Sequence, residues 1–126
     1  WVTGVQTCAL PIWRTTMKVF LSQPMRSKTH EEILSNIREV QEFLTKYLDS
    51  TNIEIIESYS PSNKGKEPLV ALGDSIKDLA KADLVVFLND WNQYRGCIIE
   101  HHTAKIYEIP HISVKSENGL LKVVEK

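Results

Sequence analysis

At 126 residues, with 42% apolar and 25% charged side chains, the chain has the size and composition of one compact globular domain. That excludes a disordered chain, a collagen-like repeat and a two-domain enzyme with its own cofactor-binding half. Lys+Arg 15 against Asp+Glu 16 leaves a net charge of -1, so nothing global attracts a nucleic-acid polymer or an anionic membrane, and no apolar run approaches the roughly 20 residues that span a bilayer.

Residues 1–16 (WVTGVQTCALPIWRTT) show neither helical nor strand periodicity, and their one charge, Arg14, sits at the wrong end for the basic region of a signal peptide. The run VTGVQTCALPI, Val2 to Ile12, reads as a sequencing-library adapter translated in frame. Met17 is then the expected natural start, with residues 1–16 outside the fold and residues 17–126 forming one domain; the other reading is a genuine N-terminal arm. Setting Arg14 aside leaves Lys+Arg 14 against Asp+Glu 16, a net charge of -2. Cys8 leaves with the same segment. Cys97 alone forms no intrachain disulfide and offers no CxxC or Cys/His spacing, which fits a reducing cytoplasm and predicts neither metal nor cofactor. The pair His101-His102 would point to different faces of a helix, a weak pattern for zinc.

From Met17 the chain alternates between strand and helix patterns. MKVFLS (Met17 to Ser22) is short, apolar and β-rich, and Gln23-Pro24-Met25-Arg26 breaks it because proline has no N–H for a ladder. Thr29 and Glu32 form a T-x-x-E capping box, followed by Ile33, Ile37, Val40, Phe43, Leu44, Tyr47 and Leu48 at helical spacing. IEII (Ile53 to Ile56) predicts a second strand, and SYSPSNKGKEP (Ser58 to Pro68) a polar loop able to reach over a site. Leu72, Ile76, Leu79 and Ala80 predict a second helix over Leu69 to Ala82, and DLVVFL (Asp83 to Leu88) a strand buried on both faces. Asn89 to Arg95 reads as a loop, with Gly96 opening a third helix to about Glu108. Pro110 ends that helix before HISV (His111 to Val114), and Asn118-Gly119 predicts a tight turn into LLKVVE (Leu120 to Glu125), a last strand or edge segment.

This order predicts an α/β fold: a single-domain, doubly wound parallel sheet of the Rossmann or flavodoxin type, with helices on both faces. Ligands bind such sheets beyond the carboxyl ends of the strands, which brings together Ser22 to Lys28, Glu57 to Pro68 and Asn89 to Gly96.

The stretch Asn89 to His101 (NDWNQYRGCIIEH) is the sharpest candidate site. Gly96 would permit close approach to a helix N-terminus whose free N–H groups favour an anion, and Arg95 adds a planar charged fork. Glu100 would lie one turn inside, either held by partial burial for nucleophilic attack on a sugar or solvated as an ordinary first-turn glutamate. Trp91 and Tyr94 offer flat faces for a base or sugar, or for simple packing.

MKVFLSQPMRSKTHEEI, ADLVVFLNDW and RGCIIEHHTAKIYEIP together make the chain resemble the nucleoside 2-deoxyribosyltransferase-like family, most closely a small bacterial and phage branch of it, over nearly all of Met17 to Val114. The signatures are the S-Q-P-M-R turn of Ser22, Gln23, Pro24, Met25 and Arg26, the A-D-hydrophobic third strand, and R-G-C-x-x-E-H opening the third helix. The resemblance implies cleavage or exchange of an N-glycosidic bond, with Glu100 as the nucleophile on the anomeric carbon and Phe20 shaping the pocket without the hydroxyl of a tyrosine. It also implies a homodimer or higher homo-oligomer, in which the Tyr59 to Pro68 loop completes a neighbour's pocket.

Two departures stand out. The family's leaving-group aspartate, eight residues before Asp83, is replaced by Ser75, with Asp74 adjacent, and the family's Asp or Ser six residues before the nucleophile is Tyr94. Two readings follow. As an enzyme, the protein holds a nucleoside or nucleotide with its base near Trp91 and Tyr94 and its phosphate near Arg26, Arg95 and the third helix. Glu100 then attacks with help from Asp74, Ser75 or Asp90, while Ser22, Gln23, Met25, Gly96 and Cys97 line the pocket. As a binder, the same pocket sequesters a nucleotide-derived signal without turnover, the role of phage anti-defence sponges.

Overall fold

The computed structural model describes residues 16–24, 28–49, 52–56 and 67–125. All but the last residue of the leader therefore lies outside the described residues, as do Met25, Arg26 and residues 59–66 of the loop expected to complete a neighbour's pocket.

The first strand, β1 (Met17–Ser22), is apolar and β-branched enough to sit buried from Val19 onward. Helix α1 (His30–Tyr47) begins at the expected capping box: Thr29 Oγ1 accepts from the Glu32 N–H at 3.1 Å, and Glu32 Oε1 accepts from the Thr29 N–H at 3.2 Å. Two otherwise orphaned donors are thereby satisfied. Strand β2 (Ile53–Ile56) follows as predicted. Helix α2 (Pro68–Leu79) starts with proline in its first turn, where the missing N–H costs nothing, and stops three residues before the expected end. There the chain turns so that Asp83 clamps the amino end of β1. The Asp83 N–H donates to the Lys18 carbonyl at 2.7 Å, and Asp83 Oδ2 accepts from the Lys18 N–H at 2.9 Å.

Strand β3 (Leu84–Phe87) is followed by a 3-10 turn at Trp91–Gln93, helix α3 (Arg95–Ile106), strand β4 (His111–Glu117) and strand β5 (Leu120–Glu125). The described residues thus form an α/β fold of three helices and one five-stranded sheet in the order β2-β1-β3-β4-β5. The first four strands pair in parallel, whereas β5 pairs antiparallel with β4, so the sheet is mixed rather than the parallel sheet expected. The cause is local. Asn118 (φ 55°) and Gly119 (φ 79°) make a two-residue turn in the left-handed region, and so short a connection can only return the chain antiparallel. Pairing with β5 also carries β4 three residues beyond its predicted end.

Period-two alternation divides the core between the faces of the sheet. Val19, Leu21, Ile53, Val86, Leu88, Ile112 and Val114 pack with Ile33, Ile37, Val40 and Leu44 of α1. Phe20, Val85 and Phe87 pack with Leu79 of α2 and Ala104 of α3 in a smaller cluster on the opposite face. Each fully buried aliphatic or aromatic side chain contributes about 2 kcal/mol relative to exposure, so the α1 face supplies most of the stability. No helix among the described residues is long and apolar enough to cross a membrane.

Candidate active site

The strand order reverses between β1 and β3: the chain steps outward from β1 to β2, then returns past β1 to β3. Loops leaving the two central strands diverge at such a point and leave a crevice at their carboxyl ends. An open cleft of about 470 Å³ lies there, lined by Pro24, Leu88, Asn89, Asp90 and Tyr94 from the two loops and by Lys28, Glu31, Glu32, Ser35 and Asn36 at the start of α1. Asp90 turns the chain into the cleft with a left-handed φ of 60°. Gln23 backs it from beneath, buried and accepting through Oε1 from Asn36 Nδ2 at 3.1 Å. The Ser116 N–H donates to Asn89 Oδ1 at 2.7 Å, which ties the loop after β3 to β4.

One residue earlier on β1, alternation turns Ser22 to the other face of the sheet. Cys97, Glu100 and Ala104 occupy the three- and four-residue steps that α3 presents inward. Ser22 Oγ donates to Glu100 Oε1 at 2.6 Å, a charge-assisted length, with the two side chains only 2% and 7% exposed. Among the described residues, Oε2 takes no hydrogen bond. Burial pushes the Glu100 carboxyl up to about 7, against the opposing pull of the Ser22 hydroxyl. The same burial pushes the Cys97 thiol up to about 11; a hydrogen bond with Ser22 lowers it and the nearby Glu100 charge raises it. Glu100 therefore sits in the second turn of α3, buried and near half-ionised at neutral pH, and is not a solvated first-turn residue.

The other candidate residues divide between these two places and the core. Asp90 and Tyr94 line the cleft, and Glu100 does not. Phe20 has no exposed surface and is a core residue behind Ser22. Asp74 and Ser75 are half-buried in the middle of α2, which packs beside α3. Arg95 is exposed and lies about 140° around α3 from Glu100, on the outward side. A Cβ at Gly96 would meet no protein atom within 4 Å, so the space beside this residue is open.

Trp91 stacks on His101, with ring centroids 4.0 Å apart and planes 17° from parallel, so one indole face is already covered. Both rings contact Phe87, and His111 meets Phe87 and His101 edge-on. His101 Nε2 lies 3.1 Å from Glu125 Oε1, which also accepts from Ser113 Oγ at 3.2 Å. The His101 contact is the main influence holding the Glu125 carboxyl below the usual range. This network locks the β3–α3 connection to the hairpin. Among the described residues, no three His, Cys, Asp or Glu side chains converge as a metal-binding group.

No protein-family model matches the chain, and no curated protein does. The chemistry of the site is therefore argued from these side chains. Sequence reasoning missed Glu31, Ser35 and Asn36 of the cleft. Asn36, a polar residue between the buried Ile33 and Ile37, was the one readable signal that this edge of α1 faces something polar.

Proposed function

We propose that the protein cleaves or exchanges the N-glycosidic bond of a nucleoside or nucleotide through Glu100, on a Rossmann-like, doubly wound α/β scaffold. The observation that carries this reading is the buried Glu100 carboxyl, held at Oε1 by Ser22, at the carboxyl end of β1 beside the crevice where the strand order reverses. In this reading Oε2 of ionised Glu100 forms a bond to the anomeric carbon as the carbon–nitrogen bond breaks. The electron pair leaves with the base nitrogen, which takes up a proton delivered through Asp74, Ser75 or Asp90. Water, or the nitrogen of a second base, then attacks the anomeric carbon. That step releases the Glu100 carboxylate and one proton and yields the free sugar or a new nucleoside. Asp90 and Tyr94 give the cleft polar and aromatic contacts for the rest of the ligand. Only the ionised fraction of Glu100 attacks, so turnover rises with pH through about 7.

A second reading is favoured by a separate observation: Glu100 is nearly enclosed and does not line the cleft, and Ser75 stands where a leaving-group acid is expected. General acid catalysis is worth on the order of 10²–10⁴-fold in rate, so without it the same crevice would hold a nucleotide-derived ligand unchanged. Incubation with a panel of deoxyribo- and ribonucleosides and their phosphates, followed by chromatography for free base, separates the two. Base release supports the first reading. Intact ligand retained in native mass spectra, with no base released from any compound, supports the second.

A further inference from the structure

The cleft has a charge of its own. Glu31, Glu32 and Asp90, all exposed, give its lining three carboxyl groups against the single ammonium of Lys28. Counting Arg26 in full, between Pro24 and Lys28 in the sequence, still leaves three acids against two bases. A cleft with an excess of one sign focuses its field and raises the local concentration of the opposite ion, so this one attracts a cation and disfavours a phosphate. Tyr94 adds an aromatic ring to the same wall, and a ring face holds a cation as well as a base. Gln23 is an independent sign of a ligand. It is 6% exposed beneath the cleft, its Oε1 is taken by Asn36, and its amide N–H groups meet no acceptor among the described residues. Buried donors are almost always satisfied, and an acceptor atom of a ligand at the floor of the cleft satisfies these.

The chemistry at Glu100 selects the same kind of molecule. A departing base either takes up a proton or already carries a positive charge that the electron pair of the broken bond cancels. Burial keeps a carboxyl group protonated for the first route, and the one buried acid among the described residues is Glu100, already engaged as the nucleophile. The second route needs no donor. We infer that the cleft takes a nucleoside whose base carries a fixed positive charge, a pyridinium or an N-alkylated purine, and whose sugar carries no phosphate. The inference rests on the reading of Glu100 as nucleophile. Oε2 bonds to the anomeric carbon as the carbon–nitrogen bond breaks, the electron pair neutralises the ring nitrogen, and the base leaves uncharged. Water then attacks the anomeric carbon and yields the free sugar, the Glu100 carboxylate and one proton.

Calorimetric titration of Glu100→Gln, which binds without turnover, tests the charge selection with two probes: nicotinamide riboside, a permanently charged pyridinium, and its uncharged dihydro form of closely similar outline. The charged probe is expected to bind at least about tenfold tighter. Adding Asp90→Asn with Glu31→Gln abolishes that preference, with the circular-dichroism spectrum and cooperative melt retained, since asparagine accepts the left-handed φ at position 90. Wild type is then given nicotinamide riboside and a set of uncharged nucleosides, with free base followed by chromatography; release of nicotinamide that Glu100→Gln loses is expected. Equal affinity for the two probes, or a preference indifferent to the paired substitution, overturns the inference. Release of base from the uncharged nucleosides alone also overturns it, while leaving Glu100 as the nucleophile. Selective binding of the charged probe with no base released from any compound supports the charge selection and defeats the reaction at Glu100.

Discussion

Ser22 and Glu100, 78 positions apart in the chain, meet through a 2.6 Å hydrogen bond in which the serine hydroxyl donates to the carboxyl of the helix. The contact joins the last residue of β1 to the second turn of α3 and fixes the rotamer of the one buried acid among the described residues. Local structure sets it up twice over. Strand alternation sends Ser22 toward α3, and the three-residue step from Cys97 sends Glu100 toward β1.

That acid makes stability depend on pH with a definite sign. The folded-state value of about 7 lies above the ordinary carboxyl value of 4.5, so the folded protein binds the extra proton between those limits, and stability falls as pH rises through that window. Urea unfolding from pH 5 to pH 8 is expected to show wild type losing on the order of 3 kcal/mol relative to Glu100→Gln, with the difference levelling above pH 7. Comparing the two proteins cancels the histidines, and glutamine keeps the acceptor for Ser22. Parallel pH profiles would contradict the burial of this group.

Ser22→Ala removes the one interaction that favours the ionised acid. The midpoint of the Glu100-dependent change then moves to higher pH, and at pH 8 the variant is about 1–3 kcal/mol less stable than wild type, because a buried carboxylate loses its donor. The same urea series reads both effects, and an unchanged midpoint would count against the hydrogen bond.

Cys97 is a buried thiol pushed up to about 11, so it stays protonated at working pH. Iodoacetamide at pH 8 is expected to alkylate it at least about 100-fold more slowly in the folded protein than in urea, read by mass spectrometry on the Cys97 peptide so that Cys8 does not confuse the result. Equal rates would mean that the Ser22, Cys97 and Glu100 cluster is open to solvent.

Much of this architecture was legible in the sequence because the signals that carry it are local. Thr29 and Glu32 announced α1 because both partners of the capping box lie within one turn. Asn118-Gly119 announced a tight turn because few other residues accept two successive left-handed conformations cheaply, although the antiparallel pairing that this turn imposes on the last strand was not carried into the expected parallel sheet. What a local pattern does not hold is the identity of a distant partner. The weak periodicity of α3 left the exposure of Glu100 undecided, since its inward positions are cysteine, glutamate and alanine rather than an apolar stripe. The stacking of Trp91 on His101 depends on how the 3-10 turn folds back over α3, and the aromatic alone served equally well as a ligand platform. The cleft surface of α1 escaped notice because Glu31, Ser35 and Asn36 are isolated polar positions of the kind any solvated helix face carries.

The mixed sheet yields its own test. Gly119 has φ 79° with open space where a Cβ would stand, so Gly119→Val is penalised through backbone strain alone. The expected cost is about 1–2 kcal/mol in urea unfolding, while Asn118→Gly stays within about 0.5 kcal/mol of wild type. A neutral Gly119→Val would contradict the left-handed turn that returns β5 antiparallel.

The measurement closest to the centre of the account is the rate of free-base release from the best nucleoside or nucleotide of the panel, wild type against Glu100→Gln, followed across pH 5 to 9. The expected result is a loss on the order of 10³-fold or more in the variant, with wild-type turnover rising through about pH 7 as the carboxyl ionises. Base release at equal rates from both proteins would contradict it.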